Sequence, residues 1–256
     1  MKVVILAGGY GTRLAEATDL IPKPMVEIGG KPILWHIMKI YSHFGYNDFV
    51  ILLGYKGYLI KEYFANYFLH QNDVRFDFET NTTELLSNSS EPWKVTLLDT
   101  GLDTMTGGRI KRAQQHIGNE RFFLSYGDGV ADVDIDKLLA FHESKGSAAT
   151  LTAIQPEARF GNLIIEDSGK VDAFTEKPKT ESGWINGGFF VLEPEIFDYL
   201  EGDQCSLEQA PIQKVVEKGG LSAYHHRGFW HCMDTLRDNK KLNQIWNEGK
   251  APWKTW

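Results

Sequence analysis

The apolar run Lys2 to Ala7 empties into Gly8-Gly9-Tyr10-Gly11-Thr12-Arg13-Leu14, and Pro22-Lys23-Pro24 follows shortly after. A β-rich run that ends in glycines and then presents Thr and Arg reads as a buried strand leading into a loop whose backbone amides can meet an anion. Glycines at 8, 9 and 11 leave out Cβ atoms where a polyanion approaches the main chain, while the fork of Arg13 and the ammonium of Lys23 supply charge. The chemistry this suits is a triphosphate grip. On the glycines alone, a plain strand-to-helix turn with surface cations fits equally well. Two other phosphate loops fail on spacing: G-x-G-x-x-G finds Leu14 at its third glycine, and G-x-x-x-x-G-K-[ST] lacks its lysine.

Acids stand at two further points. Asp128 lies in Gly127-Asp128-Gly129 after the apolar run Phe122 to Tyr126, where a strand-tip carboxylate beside a triphosphate loop could serve magnesium; alone, it is ordinary turn chemistry. Asp234, just before Thr235-Leu236-Arg237, is either a second metal ligand or a helix N-cap. Glu176-Lys177-Pro178 reads by itself as a solvated charged turn, and Asn186-Gly187-Gly188 as a strand eased by glycines. Phe229-Trp230-His231 reads as core at the sheet edge rather than a base-stacking platform, and His225-His226 lacks the third ligand of a metal site.

Composition narrows the class. A net charge of -7 over 256 residues argues against a nucleic-acid partner, so phosphate recognition must be local. Cys205 and Cys232 form neither a zinc pattern nor a disulfide framework, which suits a reduced, cytoplasmic setting. No basic leader or membrane-length apolar stretch is evident, so no membrane association is expected, and the glycosylation-like Asn81-Thr82-Thr83 and Asn88-Ser89-Ser90 read as polar loop.

The elements that must position these residues alternate between strand and helix. After β-like residues 2–7, Pro32 opens a helix through Ile33, Leu34, Ile37, Met38, Ile40, Tyr41 and Phe44, stopped by Gly45. Phe49 to Leu53 is a strand, Tyr58 to Phe68 a helix, and Gln71 to Glu91 a polar excursion with one strand at Val74 to Phe78 that could act as a flap. Trp93 to Leu98 is a strand, and Asp99 to Arg109 a second Gly/Thr-rich loop before a helix of about three turns. Asp134 to Ser144 is a helix and Ala148 to Ile154 a strand. Shorter β-like pieces follow at 163–165, 171–175 and 185–192, then helices at 194–199 and 210–218, a strand at 222–226 and a helix at 236–246. This order predicts an α/β fold with a mainly parallel, doubly wound sheet and a β-rich later portion. It also predicts a single domain over 1–256, with a nucleotide-binding half to about 154 and a sugar-binding and closing portion from about 155.

Taken together, Gly8-Gly9-x-Gly11-Thr12-Arg13-Leu14, Pro22-Lys23-Pro24, Gly127-Asp128, Glu176-Lys177-Pro178, Asn186-Gly187-Gly188 and Asp234 resemble the sugar-1-phosphate nucleotidyltransferases over nearly the whole chain. Tyr10, Ala15-Glu16-Ala17-Thr18, Asp103 to Arg109 and Gly228 to Asp234 are similar to the branch that uses CTP and glucose 1-phosphate. Thymidylyl and uridylyl branches usually carry a proline after the Arg-Leu pair and an alanine in the Asn-x-Gly turn, where this chain has Ala15 and Gly187.

The resemblance implies attack by a glucose 1-phosphate oxygen on the α-phosphorus of CTP, giving CDP-glucose and pyrophosphate. It implies Arg13, Lys23 and Asp128 as catalytic residues, with Leu6, Ala7, Gly8, Gly9, Tyr10, Gly11, Thr12, Thr104 and Arg109 joining them on the nucleotide. Glu176, Lys177, Asn186 and Gly187 would meet the sugar phosphate, and Asp128 with Asp234 would hold Mg2+. Because the nucleophile is already an anion, no general base is required; the barrier is repulsion between polyanions, answered by cations and alignment. The polar excursion and the aromatic end Trp253-Lys254-Thr255-Trp256 suggest a homo-oligomer. The same chemistry with UTP or dTTP, and a sugar-nucleotide-binding protein without turnover, are the alternatives; a nicotinamide oxidoreductase is disfavoured by Leu14.

Overall fold

The computed structural model describes residues 1–11, 20–87, 89–156, 162–165, 171–175 and 183–256, with the backbone alone at 162–165 and 172–175. In chain order the elements are β1 (Lys2–Ala7), the short pair β2 (Glu27–Ile28) and β3 (Lys31–Pro32), α1 (Ile33–His43), β4 (Asp48–Leu53), α2 (Gly57–Ala65) and α3 (Tyr67–Gln71). Then come β5 (Val74–Asp77), β6 (Thr82–Leu85), β7 (Lys94–Asp99), α4 (Thr106–Arg112), α5 (Gln114–Ile117), β8 (Phe122–Tyr126), β9 (Gly129–Ala131), α6 (Ile135–Lys145) and β10 (Ala149–Ile154). The chain closes with β11 (Asn162–Ile165), β12 (Val171–Thr175), β13 (Ile185–Asn186), β14 (Phe190–Leu192), α7 (Ala210–Glu217), β15 (Leu221–His226), β16 (Trp230–Cys232) and α8 (Leu236–Asn247).

The main sheet runs β13-β10-β14-β8-β1-β4-β7, with β15 also paired to β10. β8, β1, β4 and β7 are parallel neighbours, whereas β14 is antiparallel to both β8 and β10. Alternation along the strands explains the two layers. Val3, Ile5 and Ala7 of β1 and Phe49, Ile51 and Leu53 of β4 enter one core, shared with α1 and α8; Val4, Leu6, Val50 and Leu52 enter the other, shared with α4 and α7. Strands apolar on both faces must be covered on both faces, which makes the sheet doubly wound as expected. Registers Ala7↔Leu53, Leu53↔Asp99 and Leu6↔Tyr126 bring four strand ends to one edge.

Several boundaries differ from the sequence expectations. The polar excursion is a hairpin of two strands, β5 and β6, with Phe76 and Phe78 stacked on each other and exposed. The helix expected over 58–68 is interrupted at Asn66, and Ile185 to Leu192 is divided by Gly188 and Phe189, both at positive φ. The aromatic C-terminus is spent within the subunit. Trp253 is fully buried, stacks on Phe229 at 5.3 Å and donates from Nε1 to Nδ1 of the buried His36 at 3.3 Å, while Trp256 packs on Trp35. That end of the chain therefore gives no support to a subunit interface.

Candidate active site

A cleft of about 560 Å³ opens at the carboxyl ends of β1 and β8. Its walls include Leu6, Ala7, Gly8, Gly9, Tyr10, Gly11, Lys23, Thr104, Arg109 and Asp128, so the described part of the expected nucleotide set converges on one cavity. Thr12, Arg13, Glu176 and Lys177 lie outside the described residues, as does Ala15-Glu16-Ala17-Thr18.

Lys23 opens a 3-10 turn between two prolines; Pro22 is extended, and its carbonyl accepts from the Met25 amide at 2.8 Å. The fixed turn leaves the lysine 8% exposed, with Nζ 2.7 Å from Asp128 Oδ2 and 2.7 Å from Asp234 Oδ1. Burial alone lowers the lysine pKa, but the two carboxylates outweigh it and hold the ammonium above its ordinary range. The thiol of Cys232 is pushed up to about 12, chiefly by burial and then by Asp234 and Asp128.

The acids meet because β9 and β16 pair antiparallel with Cys232 opposite Gly129, and the Met233 amide donates to the Asp128 carbonyl at 2.8 Å. Asp234 does not cap α8. Thr235 does, accepting from the Asp238 amide, while Asp238 returns a carboxylate to the Thr235 amide in a reciprocal capping box. The Asp234 carboxylate accepts from Lys23 instead. Two carboxylates converging on one cation, with no cluster of three or more metal-ligating side chains among the described residues, suit an ion that completes its shell with water and phosphate oxygens, as magnesium does.

Arg109 answers a different need. It lies on α4, not in the loop where it was expected, because the helix begins at Thr106. Its guanidinium donates to the carbonyls of Leu53, Gly101, Gly8 and Leu102 and to the Thr100 hydroxyl, at 2.6 to 3.0 Å. A Cβ at Gly8 would lie 2.3 Å from this guanidinium, whereas one at Gly9 would meet nothing within 4 Å. The two glycines thus serve different ends: Gly8 admits the arginine, and Gly9 leaves the cleft open. Across the mouth, the Tyr10 hydroxyl donates to Asp103 Oδ1 at 2.5 Å, a bond that raises the tyrosine pKa.

Of the expected sugar-side residues, Asn186 reaches the cleft wall indirectly by donating from Nδ2 to the hydroxyl of Tyr126 at 3.0 Å, and the Gly187 carbonyl accepts from Trp230 Nε1 at 2.7 Å. Sequence reading missed Tyr126 and Thr106 on the cavity wall and Glu208 behind them. Tyr126 carried one usable signal, its place two residues before Asp128 at the end of an apolar strand; Glu208 carried none.

Known proteins share the sequence pattern and the fold of this chain. The nucleotidyl transferase family model matches residues 2–238. The chain is 56% identical, over the full length of both, to a glucose-1-phosphate cytidylyltransferase of Salmonella typhi, and 48% identical, again over both full lengths, to a probable glucose-1-phosphate cytidylyltransferase of Bacillus subtilis. Its fold is similar to the crystal structure of HddC from Yersinia pseudotuberculosis, with a TM-score of 0.69 and 27% identity over 96% of this chain and 99% of that one.

Proposed function

The chain belongs to the nucleotidyl transferase family, and on that footing we propose that it transfers the cytidylyl group of CTP to glucose 1-phosphate, forming CDP-glucose and pyrophosphate. The observation that carries the reading is the Lys23 ammonium held by Asp128 and Asp234 at the cleft. These three residues suit a reaction between two phosphate anions, in which charge must be gathered and neither reactant needs deprotonation.

Asp128 and Asp234 would hold Mg2+, which when bound supplies positive charge to the triphosphate and its leaving pyrophosphate. Lys23, fixed by its two prolines, presents the compact cation to the reacting phosphates, and Arg13 is assigned to the triphosphate. The open backbone at Gly9 admits the phosphates, and Tyr10 with Asp103 draws the two loops together at the mouth. Thr104 and Arg109 are assigned to the nucleoside end. The Gly8 carbonyl already accepts from Arg109 and from the Tyr55 amide, so we give the exocyclic amine of cytosine to the Thr104 hydroxyl. Glu176, Lys177, Asn186 and Gly187 take the sugar phosphate.

The whole chain acts as one domain, and the subunits form a homo-oligomer through the hairpin β5–β6, where Phe76 and Phe78 are 51% and 90% exposed. Phe78→Glu would lower the mass measured by light scattering; an unchanged mass would remove the hairpin from the interface. No described helix is long and apolar enough to cross a membrane, and the two free thiols suit a cytoplasmic enzyme.

The deciding experiment offers CTP, UTP, dTTP and GTP in turn with glucose 1-phosphate and magnesium, and measures pyrophosphate. Release is expected with CTP, and only when both substrates are present. Preference for UTP or dTTP would overturn the cytidine assignment, and absence of turnover with all four would overturn the enzymatic one.

A further inference from the structure

A line of hydrogen bonds crosses from the sugar side of the cleft to the nucleotide side without passing through any residue so far given a chemical role except Asn186. Asn186 Nδ2 donates to the Tyr126 hydroxyl at 3.0 Å, and that hydroxyl donates to Glu208 Oε1 at 2.8 Å. Glu208 Oε2 accepts from the Thr106 hydroxyl at 2.7 Å, and Thr106 Oγ1 in turn accepts from the Leu207 amide at 2.9 Å. At the other end, Asn186 Oδ1 accepts from the Gly188 amide at 2.9 Å.

The direction of each bond follows from donor inventory. A carboxylate can only accept, so Glu208 takes the single proton of Tyr126. With that proton committed, the phenol oxygen can only accept from Asn186, which must turn its NH2 toward the ring and its carbonyl toward the Gly188 amide. The ring itself is wedged. It packs edge-on against Phe190 at 5.8 Å, and Gly188, at φ +77, brings its backbone so close that a Cβ would lie 3.1 Å from Tyr126 Cδ2. Burial, and then the Glu208 charge, hold the phenol proton on more firmly than in water.

We propose that Glu208 is a positioning residue for the sugar phosphate: through Tyr126, and together with the Gly188 amide, it holds the Asn186 amide one way round. The inference rests on the assignment of Asn186 to the hexose. An amide carries a donor at one end and an acceptor at the other, so its orientation decides which pattern of hydroxyls it can bind. Sugar discrimination is therefore read partly by a residue on the nucleotide side of the cleft. The same Glu208 anchors Thr106 at the start of α4, which ties the sugar-facing amide to the helix bearing Arg109.

Glu208→Gln tests this, because it keeps the shape but introduces a donor. With its carbonyl kept toward Thr106, the new NH2 faces Tyr126, whose proton then turns toward Asn186 and sets the two in conflict. The expected result is a rise of about tenfold in KM for glucose 1-phosphate, the equivalent of one hydrogen bond, with KM for CTP within about twofold. Discrimination against epimeric hexose 1-phosphates should fall by about fivefold. If both KM values are unchanged, or rise together, the relay is overturned. Should the glutamine variant not fold, Tyr126→Phe asks the same question, since the ring remains and the relay ends. The wild-type enzyme run in parallel separates the two ideas: its failure on glucose 1-phosphate removes the functional reading and this inference with it, whereas an active wild type with an indistinguishable Glu208→Gln removes only the inference.

Discussion

On the side of the cleft formed by β1, β4 and β7, Arg109 is 4% exposed and gives its hydrogens to backbone carbonyls and one hydroxyl; on the β1–β8 side, Lys23 is 8% exposed and gives its hydrogens to carboxylates. Both are buried cations at strand ends. Neutral carbonyls solvate Arg109 without cancelling its charge, and they lie at the carboxyl ends of three different strands, so losing the arginine would release all three. Asp128 and Asp234 cancel the charge of Lys23, and each is a group that a divalent cation would also bind. The first arrangement is a frame, and the second is a set of partners that can be exchanged as polyanions arrive. Burial of a cation by itself therefore does not identify a catalytic group; what satisfies it does.

This contrast can be broken at several points. Lys23→Ala should lower kcat/KM by about 10³-fold while weakening nucleotide binding by less than about tenfold; equal losses, measured by steady-state kinetics beside calorimetric titration, would reduce Lys23 to a binding residue. Arg109→Met should cost about 4 kcal/mol of stability in urea unfolding, since several buried carbonyls lose their donor at once. Unchanged stability would strip Arg109 of its framing role, leave it as a nucleoside contact alone, and erase the distinction.

His36 supplies the uncharged reference. It is fully buried, with Nε2 donating to the Ile28 carbonyl at 2.8 Å and Nδ1 accepting from Trp253, and burial lowers its pKa to about 4. Above the ordinary histidine range both folded and unfolded states are neutral. As pH falls through about 6.5 toward about 4, the unfolded chain takes up a proton that the fold refuses, so stability present at neutral pH is lost by up to about 3 kcal/mol. An NMR titration of the His36 ring with its midpoint near 6.5 would contradict this. The smallest effect concerns the cap: Thr235→Ala should cost about 1 kcal/mol in urea unfolding and leave kcat nearly unchanged, because Asp234 is not the capping residue. A large loss of activity there would show that the cap also aims Asp234.

Much of the frame was legible because strand periodicity is local. Val3 to Ala7 and Phe49 to Leu53 announce a strand buried on both sides, and Asp128 is exposed to chemistry by its place at the end of such a strand. Gly107-Gly108 misled because glycine ordinarily signals a loop. Here both sit inside α4, where a Cβ would lie 2.9 Å from the Cys205 carbonyl and 2.7 Å from that of Asp203; they are glycines for close packing, and the packing partner is distant in sequence. The same reason hid Glu208, whose meaning comes only from Tyr126 and Thr106, and turned the terminal tryptophans from a supposed surface into a lining for His36.

The ladder between β9 and β16 has a consequence for where this chain tolerates a change of length. Asp128 and Asp234 flank paired residues, so their meeting depends on counting residues along two three-residue strands. One residue inserted within Trp230–Cys232 would turn each following side chain to the opposite face and carry Asp234 away from Lys23, disabling the site without altering any residue that contacts substrate. One residue inserted at the exposed turn between β5 and β6 would cost the fold of the subunit itself only a small increment of loop-closure entropy. The enzyme's fragility is thus one of register, concentrated in a ladder far shorter than the sheet it serves.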